Sequence, residues 1–319
     1  MKKISVFLVP FLLACAAAGV CEQQPTAQQQ PPQKDSSHES EFFQEATNGA
    51  IFIYSPLVNP CAPVPKGKIL LPLGSAFVTG VEKRGASTPQ LWSGWKFLVT
   101  AKHVLLNQSE IIVRVNAESA SKFVCKTIHL ETEGQARNVF LAPEGVDLEA
   151  VAIPNIPGAD PTVVTPSLLV DEAKMKESNI GVGTQVLTIG YLFGYSGEQA
   201  NFPVAKFGHI SIVTDELWYF NPESKLMERG YVLDLSNAPG LSGAPVYTHG
   251  VEIETDPLRY RRLPPYLVGV VKGLMLVPVN GQMISQGVAI IEPGANLKVL
   301  MLQIAAMLKS NGADVVPIN

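Results

Sequence analysis

Short apolar runs separated by glycine, proline and asparagine recur along most of the chain. Runs of this length, bounded by turn-forming residues, are typical of β-strands. The clearest of them cover residues 50–54, 74–79, 96–100, 111–116 and 186–191. This alternation of apolar stretches with turn formers predicts an all-β protein.

One segment near the C-terminus has a helical period instead. Drawn as a helix, residues 296–309 carry their apolar side chains on one face, and Gly312 follows as a stop signal. The residues on that face are Leu297, Leu300, Met301, Ile304 and Leu308. We therefore expect a single C-terminal helix after the strands.

The first 20 residues have the pattern of an export signal. Two lysines follow Met1, and an apolar run of 17 residues covers 4–20. About 20 apolar residues are needed to span a bilayer, so a cleaved signal is favoured over a permanent span. The segment Leu12-Leu13-Ala14-Cys15 resembles a bacterial lipobox, which predicts a lipid on Cys15. Cleavage after Ala16 or Ala18, without a lipid, is the alternative.

Residues 21–45 are predicted to form a disordered tether. The stretch from Glu22 to about Ser40 is crowded with glutamine, proline and serine and contains almost no apolar residue. Such a segment cannot bury enough surface to offset the entropy of folding. Its length corresponds to a reach on the order of 25 Å. The tether would therefore hold the rest of the chain, residues 46–319, just off a membrane surface.

The charge and the motif content of the chain indicate which classes of ligand and partner to expect. The chain of 319 residues carries a net charge of −4, and 16% of its residues are charged. Nucleic-acid binders usually show a basic stripe, so no nucleic-acid partner is predicted. No cysteine–histidine cluster has the spacing of a zinc site, and no glycine-rich run has the pattern of a phosphate loop. We therefore expect neither a metal nor a cofactor.

The hexapeptide Gly240-Leu241-Ser242-Gly243-Ala244-Pro245 suits a nucleophilic serine. Small neighbours leave the hydroxyl open to a substrate carbonyl, and glycine permits torsions that aim amides at one point. The amides of Gly240 and Ser242 could then donate to the negative oxygen of a tetrahedral intermediate. Because Gly-x-Ser-Gly also occurs in ordinary turns, the motif needs partners elsewhere in the chain.

Two further motifs could supply the base and the orienting group that a serine hydroxyl needs. His103 ends the sequence Thr-Ala-Lys-His after an apolar run, and Asp147 precedes another apolar run. His103 and Asp147 are 44 residues apart, and Asp147 and Ser242 are 95 residues apart. With these three motifs in this order, the chain resembles the chymotrypsin/trypsin-like serine proteases, including their bacterial exported branch.

The resemblance implies an all-β fold of two six-stranded antiparallel β-barrels, chymotrypsin-like, with a C-terminal helix. The first barrel would cover residues 46–160 and the second 161–319, with the active site in the cleft between them. Ser242 would be the nucleophile, His103 the general base and then the acid, and Asp147 the residue that orients His103. The implied protein is an extracytoplasmic serine endopeptidase, in the periplasm or at the cell surface, that acts on proteins or peptides.

Two other functions stay open. One is a lipoprotein that keeps the protease fold and binds a partner without turnover. The other is an esterase that uses the same three residues, since acyl transfer does not require an amide substrate.

The resemblance also implies a pocket for the substrate side chain before the cleaved bond. It would be lined by Ser236, Gly273 and Gly287. A neutral base with two glycines implies a roomy, uncharged slot for an apolar side chain. Asp234 would reverse that preference if it, and not Ser236, formed the base of the pocket.

Four cysteines occur in the chain, and two of them, Cys61 and Cys125, lie in residues 46–319. Export permits a disulfide between them. Their proximity cannot be read from the sequence, so the pairing stays open at this point.

Overall fold

The computed structural model describes residues 36–62, 70–84, 93–117, 122–131, 138–192, 197–214, 216, 218–221, 226–236, 239–249, 252–256, 259–262 and 264–318. The helices are α1 (Ser36–Gly49), α2 (Lys102–Leu105), α3 (Glu172–Glu177) and α4 (Gly294–Ser310), with a short 3-10 turn at Pro166–Leu168. The predicted export signal (1–20), including Cys15, lies outside these residues.

The first half of the chain forms one curled sheet of eight strands. These are β1 (Ile51–Tyr54), β2 (Gly74–Glu82), β3 (Gly94–Thr100), β4 (Glu110–Asn116), β5 (Phe123–His129), β6 (Phe140–Leu141), β7 (Glu149–Ala152) and β8 (Val163–Val164). The strand order is β5-β4-β1-β2-β3-β7-β6, and β8 pairs in parallel with β2. β2 is buried over nearly its whole length, which explains its uninterrupted run of small and apolar residues.

The second half is a closed six-stranded barrel with the order β10-β13-β18-β17-β14-β9. Two small two-stranded sheets, β11-β12 and β15-β16, stand beside it. The strands are β9 (Gln185–Gly190), β10 (Val204–Ile212), β11 (Trp218–Asn221), β12 (Leu226–Arg229), β13 (Tyr231–Asp234), β14 (Pro245–Thr248), β15 (Glu252–Asp256), β16 (Arg259–Arg262), β17 (Leu267–Val279) and β18 (Gln282–Pro293).

The all-β, chymotrypsin-like class is confirmed, with one difference in the first half. There the hydrogen-bonded path is an open one of seven strands, with β8 beside it, in place of six strands closed into a barrel. The added strand β8 explains part of this difference, because it pairs with β2 outside the main path. Within the described residues, the end strands β5 and β6 are not paired with each other.

Helix α4 confirms the predicted C-terminal helix. Its bounds exceed the predicted 296–309 by two residues at the start and one at the end. Four of the five predicted apolar residues are buried, namely Leu297, Leu300, Met301 and Ile304, and Leu308 is partly buried. They belong to a core that also contains Phe97 of the first half and Leu187 of the second. The helix therefore seals the boundary between the two halves.

Helix α1 differs from the prediction of a disordered tether through residue 45, because residues 36–45 are helical. Two adjacent aromatic residues explain why this part is ordered. The ring of Phe42 meets Tyr247 edge-on at 5.3 Å, and the ring of Phe43 lies 5.9 Å from Phe207. These contacts bury apolar surface against the second barrel. The prediction missed them because it used the average composition of the tether and not its individual residues. Within the described part of the chain, no helix is long and apolar enough to cross a membrane.

The chain passes from the first half to the second after Val164. That residue still pairs with β2, so the first half extends four residues past the predicted boundary at 160. Asp171 then begins α3 by accepting a hydrogen bond from the Lys174 amide at 2.8 Å. Its other carboxylate oxygen accepts one from Lys298 of α4 at 2.9 Å. These bonds, the Lys174 amide first, lower the pKa of Asp171 below its usual value.

Cys61 and Cys125, whose pairing the sequence left open, form a disulfide. Their Cα atoms are 6.0 Å apart, within the usual range for such a bond. The bond ties the loop after β1 to β5, the outer strand of the first sheet. The two cysteines are 64 residues apart in the sequence, so the bond closes a large loop in the unfolded chain.

Candidate active site

His103 and Asp147 are held together by two hydrogen bonds. His103 lies in α2, directly after β3, and Asp147 lies two residues before β7, the neighbour of β3. The ring Nδ1 of His103 is 2.7 Å from Asp147 Oδ2, and the His103 amide donates to Asp147 Oδ1 at 3.0 Å. The Asp147 residue is 7% exposed, so the pair is shielded from water. With a proton on Nδ1 donated to the carboxylate, Nε2 is the ring nitrogen that can accept another proton.

Ser242 lies beside α2, at the border between the two halves. Its carbonyl oxygen accepts a hydrogen bond from the Ser75 amide of β2 at 2.8 Å. That oxygen and the methyl groups of Val104 all lie within 3.0 Å of the point where a side chain on Gly74 would begin. Gly74 is therefore the residue that lets Ser242 approach the segment that carries His103. The tertiary structure brings all three predicted triad residues to one border.

The loop that carries Ser242 is tied down on both sides. The Gly243 amide donates to the Val271 carbonyl at 2.8 Å, and the Val271 amide donates to the Ala244 carbonyl at 2.8 Å. These bonds attach the loop to β17. Because the loop is held from β2 and from β17, its conformation is set by both halves of the molecule.

Ser75 is a site residue that the sequence did not reveal. Its hydroxyl donates to the Gly240 carbonyl at 2.8 Å and accepts from the Tyr191 amide at 2.7 Å. Its own carbonyl accepts from the Thr100 hydroxyl at 2.7 Å. One residue of the first half therefore fixes two points of the loop that carries Ser242, at Gly240 and at Ser242 itself. The only sequence signal was a polar residue inside an apolar run.

The amides of Gly240 and Ser242 are the predicted donors to a negative oxygen. Among the residues that the structure describes, neither amide donates to another protein group. Gly240 has a φ of +101°, and a side chain there would strike the ring of Tyr191. Only glycine fits this position, as the motif requires.

Replacing Gly243 tests how tightly the loop is built. Gly243 has a φ of +88°, and an added Cβ would collide with the Ser75 carbonyl and the Thr100 hydroxyl. We expect Gly243→Ala to lower the free energy of unfolding by about 3–5 kcal/mol, from backbone strain and overpacking together. Denaturant unfolding measures this change.

Gly183 is a matched control for that substitution. It has the same φ of +88°, but nothing lies within 4 Å of its added Cβ. Gly183→Ala should therefore cost only the backbone part, about 1–2 kcal/mol. Equal losses in the two variants would contradict the tight packing of the Ser242 loop against β2.

The predicted pocket residues lie on, or just after, three neighbouring strands of the barrel, β13, β18 and β17. Gly273 and Gly287 lie on the paired strands β17 and β18, and the space above each is open within 4 Å. Ser236 is exposed, and its carbonyl accepts from Lys206 Nζ at 2.7 Å. It lines a cavity of about 530 Å³ together with Phe207 and His249. Among the described residues, Gly273 and Gly287 do not line this cavity.

Asp147 is also held from the second half, which the sequence did not predict. Its amide donates to Glu292 Oε2 of β18 at 3.1 Å. Within the described residues, no group of three or more histidine, cysteine or acidic side chains is arranged to hold a metal ion.

No family model matches the chain, and no curated protein matches it in sequence. Solved structures match it in shape. The MamO protease domain from Magnetospirillum magneticum is 12% identical, with a TM-score of 0.46, over 82% of this chain and 99% of that one. The active form of the Rv3671c protease from M. tuberculosis is 16% identical, with a TM-score of 0.45, over 88% of each chain. Human heparin binding protein is 12% identical, with a TM-score of 0.45, over 82% of this chain and 92% of that one.

Proposed function

We propose that this protein is an extracytoplasmic serine endopeptidase whose catalytic residues are Ser242, His103 and Asp147. The observation that carries the proposal is the 2.7 Å contact between His103 Nδ1 and Asp147 Oδ2, beside the loop of Ser242. A serine hydroxyl is a weak nucleophile that needs a base, and the base needs a third group to orient it. In the proposal, Ser242 is the nucleophile, His103 is the base, and Asp147 is the group that orients the base.

In the proposed first step, the Ser242 hydroxyl oxygen attacks the carbonyl carbon of the peptide bond. His103 Nε2 takes the hydroxyl proton as the new C–O bond forms. The carbonyl electron pair moves onto its oxygen, which becomes negative. Asp147 stays ionised and stabilises the imidazolium through Nδ1–H.

The intermediate then collapses to an acyl-enzyme. The electron pair returns to re-form the carbonyl, the C–N bond breaks, and His103 gives its proton to the leaving amine. Water repeats the sequence with His103 again as the base. It releases the carboxylic acid and restores the Ser242 hydroxyl.

The amides of Gly240 and Ser242 are the proposed donors to the negative oxygen. Fixed backbone donors of this kind stabilise a charge that exists only in the transition state. The bonds from Ser75 support the role, because they hold the main chain at both residues. The open space above Gly273 and Gly287 supports a slot for an uncharged substrate side chain, whereas the role of Ser236 stays a prediction from the resemblance.

The placement of the enzyme is proposed from its first 45 residues. Export by the signal at 1–20 and a lipid on Cys15 would leave the catalytic part on a tether at a bacterial membrane. Packing of α1 on the second barrel shortens that tether, since the described part of 21–45 is helical from Ser36. The intact mass of the protein extracted from membranes is the measurement that checks the lipid.

Reaction with a fluorophosphonate tests the proposed nucleophile. The folded protein should form one stable adduct, and peptide mass mapping should find it on Ser242. Protein unfolded in denaturant should not react, because the adduct needs the base and the oxyanion donors in place. An adduct on another serine, or none on folded protein, would reject Ser242 as an activated nucleophile.

A further inference from the structure

A buried ion pair lies behind Asp147, in the second barrel. Lys272 of β17 and Glu292 of β18 are 1% and 2% exposed, and Lys272 Nζ is 2.8 Å from Glu292 Oε2. Lys272 also donates to the Arg229 carbonyl at 3.0 Å, and the Asn296 amide group donates to Glu292 Oε1. Each charged group thus has a partner that offsets part of the cost of its burial.

This pair is connected to the catalytic residues through the Asp147 main chain. Glu292 Oε2, the oxygen that contacts Lys272, also accepts from the Asp147 amide at 3.1 Å. Asp147 in turn holds His103 through both carboxylate oxygens. The contacts therefore run without a gap from β17 and β18 to the imidazole ring in the first half.

Stability alone does not explain a buried ion pair, because removing two charges from water costs free energy that their attraction offsets only in part. Replacing such a pair by apolar side chains of similar volume is often neutral or stabilising. What an apolar pair could not supply is an acceptor for the Asp147 amide. A carboxylate can supply one, but alone it would add a buried negative charge next to Asp147, and Lys272 cancels that charge.

We propose that Glu292 is a positioning residue for Asp147, and that Lys272 allows Glu292 to act without adding net charge beside His103. The proposal rests on the proposed catalytic role of His103 and Asp147. Glu292 lies in the opposite half of the molecule and holds the main chain of Asp147 through its amide. This contact sets the position and orientation of the Asp147 carboxylate. The correct alignment of the triad thereby depends on the two halves being docked.

Several charged and titratable groups of the described part of the chain face this pair. Glu292 faces Lys272 from β17 and Asp147 from the first half, and α4 presents the neutral amide of Asn296. Lys272 also lies 5.6 Å from the centre of the Tyr219 ring. A variant that changes the pair must therefore keep it neutral, or Asp147 will face an uncompensated charge.

Two neutral double variants separate positioning from packing. Lys272→Met/Glu292→Gln removes both charges but keeps an oxygen that can accept from the Asp147 amide. Lys272→Met/Glu292→Met removes the charges and the acceptor at similar side-chain volume. The two variants differ in one side chain only, so the comparison tests the acceptor at position 292, which serves the Asp147 amide and the side chain of Asn296.

We expect the Gln variant to keep kcat within about threefold of the parent. The Met variant should lose about 10- to 100-fold in kcat with little change in KM, because a small misplacement of a catalytic group is that costly. Its midpoint of thermal unfolding should lie below that of the Gln variant, because the buried Asp147 amide loses its acceptor. Equal kcat in two folded variants would overturn the positioning role.

The imidazole of His103 gives a readout that needs no turnover. In NMR spectra, the titration midpoint of His103 should be unchanged in the Gln variant and move to lower pH in the Met variant. The reason is that a misaligned carboxylate stabilises the imidazolium less. If the midpoints separate but no protein hydrolyses any peptide, the proposed function fails while the positioning inference stands. Identical midpoints in both variants would overturn the inference.

Asn296→Ala serves if the Met variant does not fold. It leaves the ion pair intact and removes only the amide group that holds Glu292 Oε1. We expect a several-fold loss in kcat and a smaller shift of the His103 midpoint in the same direction. An unchanged kcat and midpoint in this folded variant would count against the inference.

Discussion

Ser242→Ala is expected to lower kcat for peptide hydrolysis about 10⁶-fold, the loss measured when the serine of a comparable triad is removed. The substitution deletes the attacking oxygen, so no acyl-enzyme can form. KM should change little, because the missing hydroxyl contributes to the transition state and hardly to substrate binding. Steady-state kinetics on a cleaved peptide, with the variant prepared free of parent protein, measure the loss.

Ser310→Ala is the control for that loss. Ser310 is an exposed serine at the end of α4, where its hydroxyl donates to the Met307 carbonyl. Its removal should leave kcat and KM unchanged. If Ser242→Ala keeps more than about one per cent of the parental kcat, another group is the nucleophile and the proposed mechanism is wrong.

Asp147→Asn should lower kcat about 10⁴-fold, the loss known for the Ser-His-Asp template. The two hydrogen bonds of Asp147 explain why. The His103 amide can only donate, so it retains the single oxygen of the new asparagine in place of Oδ1. The NH₂ group then faces His103 Nδ1 and donates to it, which forces the ring proton onto Nε2. In that tautomer Nε2 cannot accept the proton of Ser242.

Asp160→Asn is the matched control. Asp160 is a half-exposed carboxylate that pairs with Lys96 Nζ at 2.6 Å. Neutralising it removes the same charge without touching His103, so kcat should stay within about twofold of the parent. An Asp147→Asn variant as active as this control would show that Asp147 does not orient the imidazole.

Several parts of the molecule could be predicted because their signal is local. The face of α4 follows from the spacing of Leu297, Leu300, Met301 and Ile304, and a strand such as β2 follows from a mainly small and apolar run. The three catalytic candidates were found because each lies in a short motif of its own. In every case the residues that carry the information are neighbours along the chain.

The parts that could not be predicted depend on contacts between distant residues. The helical start of α1 depends on Phe42 and Phe43 meeting the second barrel, far along the sequence. The hydrogen bond from Ser75 to the loop of Ser242 joins residues 165 positions apart, and the bond between Asp147 and Glu292 joins residues 145 positions apart. A polar residue in an apolar strand signals that some partner exists, but its identity is not a local property.

By itself, the sequence determined the all-β class, the C-terminal helix and the three residues that could carry acyl transfer, because periodicity and short motifs are written in consecutive positions. Only the tertiary structure decided that Cys61 meets Cys125, that the first half is an open curled sheet, and that Ser75, Lys272 and Glu292 hold the site from both halves. The physical reason is that these features arise when the chain folds back on itself. Burial then obliges each polar group to find a partner, wherever in the sequence that partner lies.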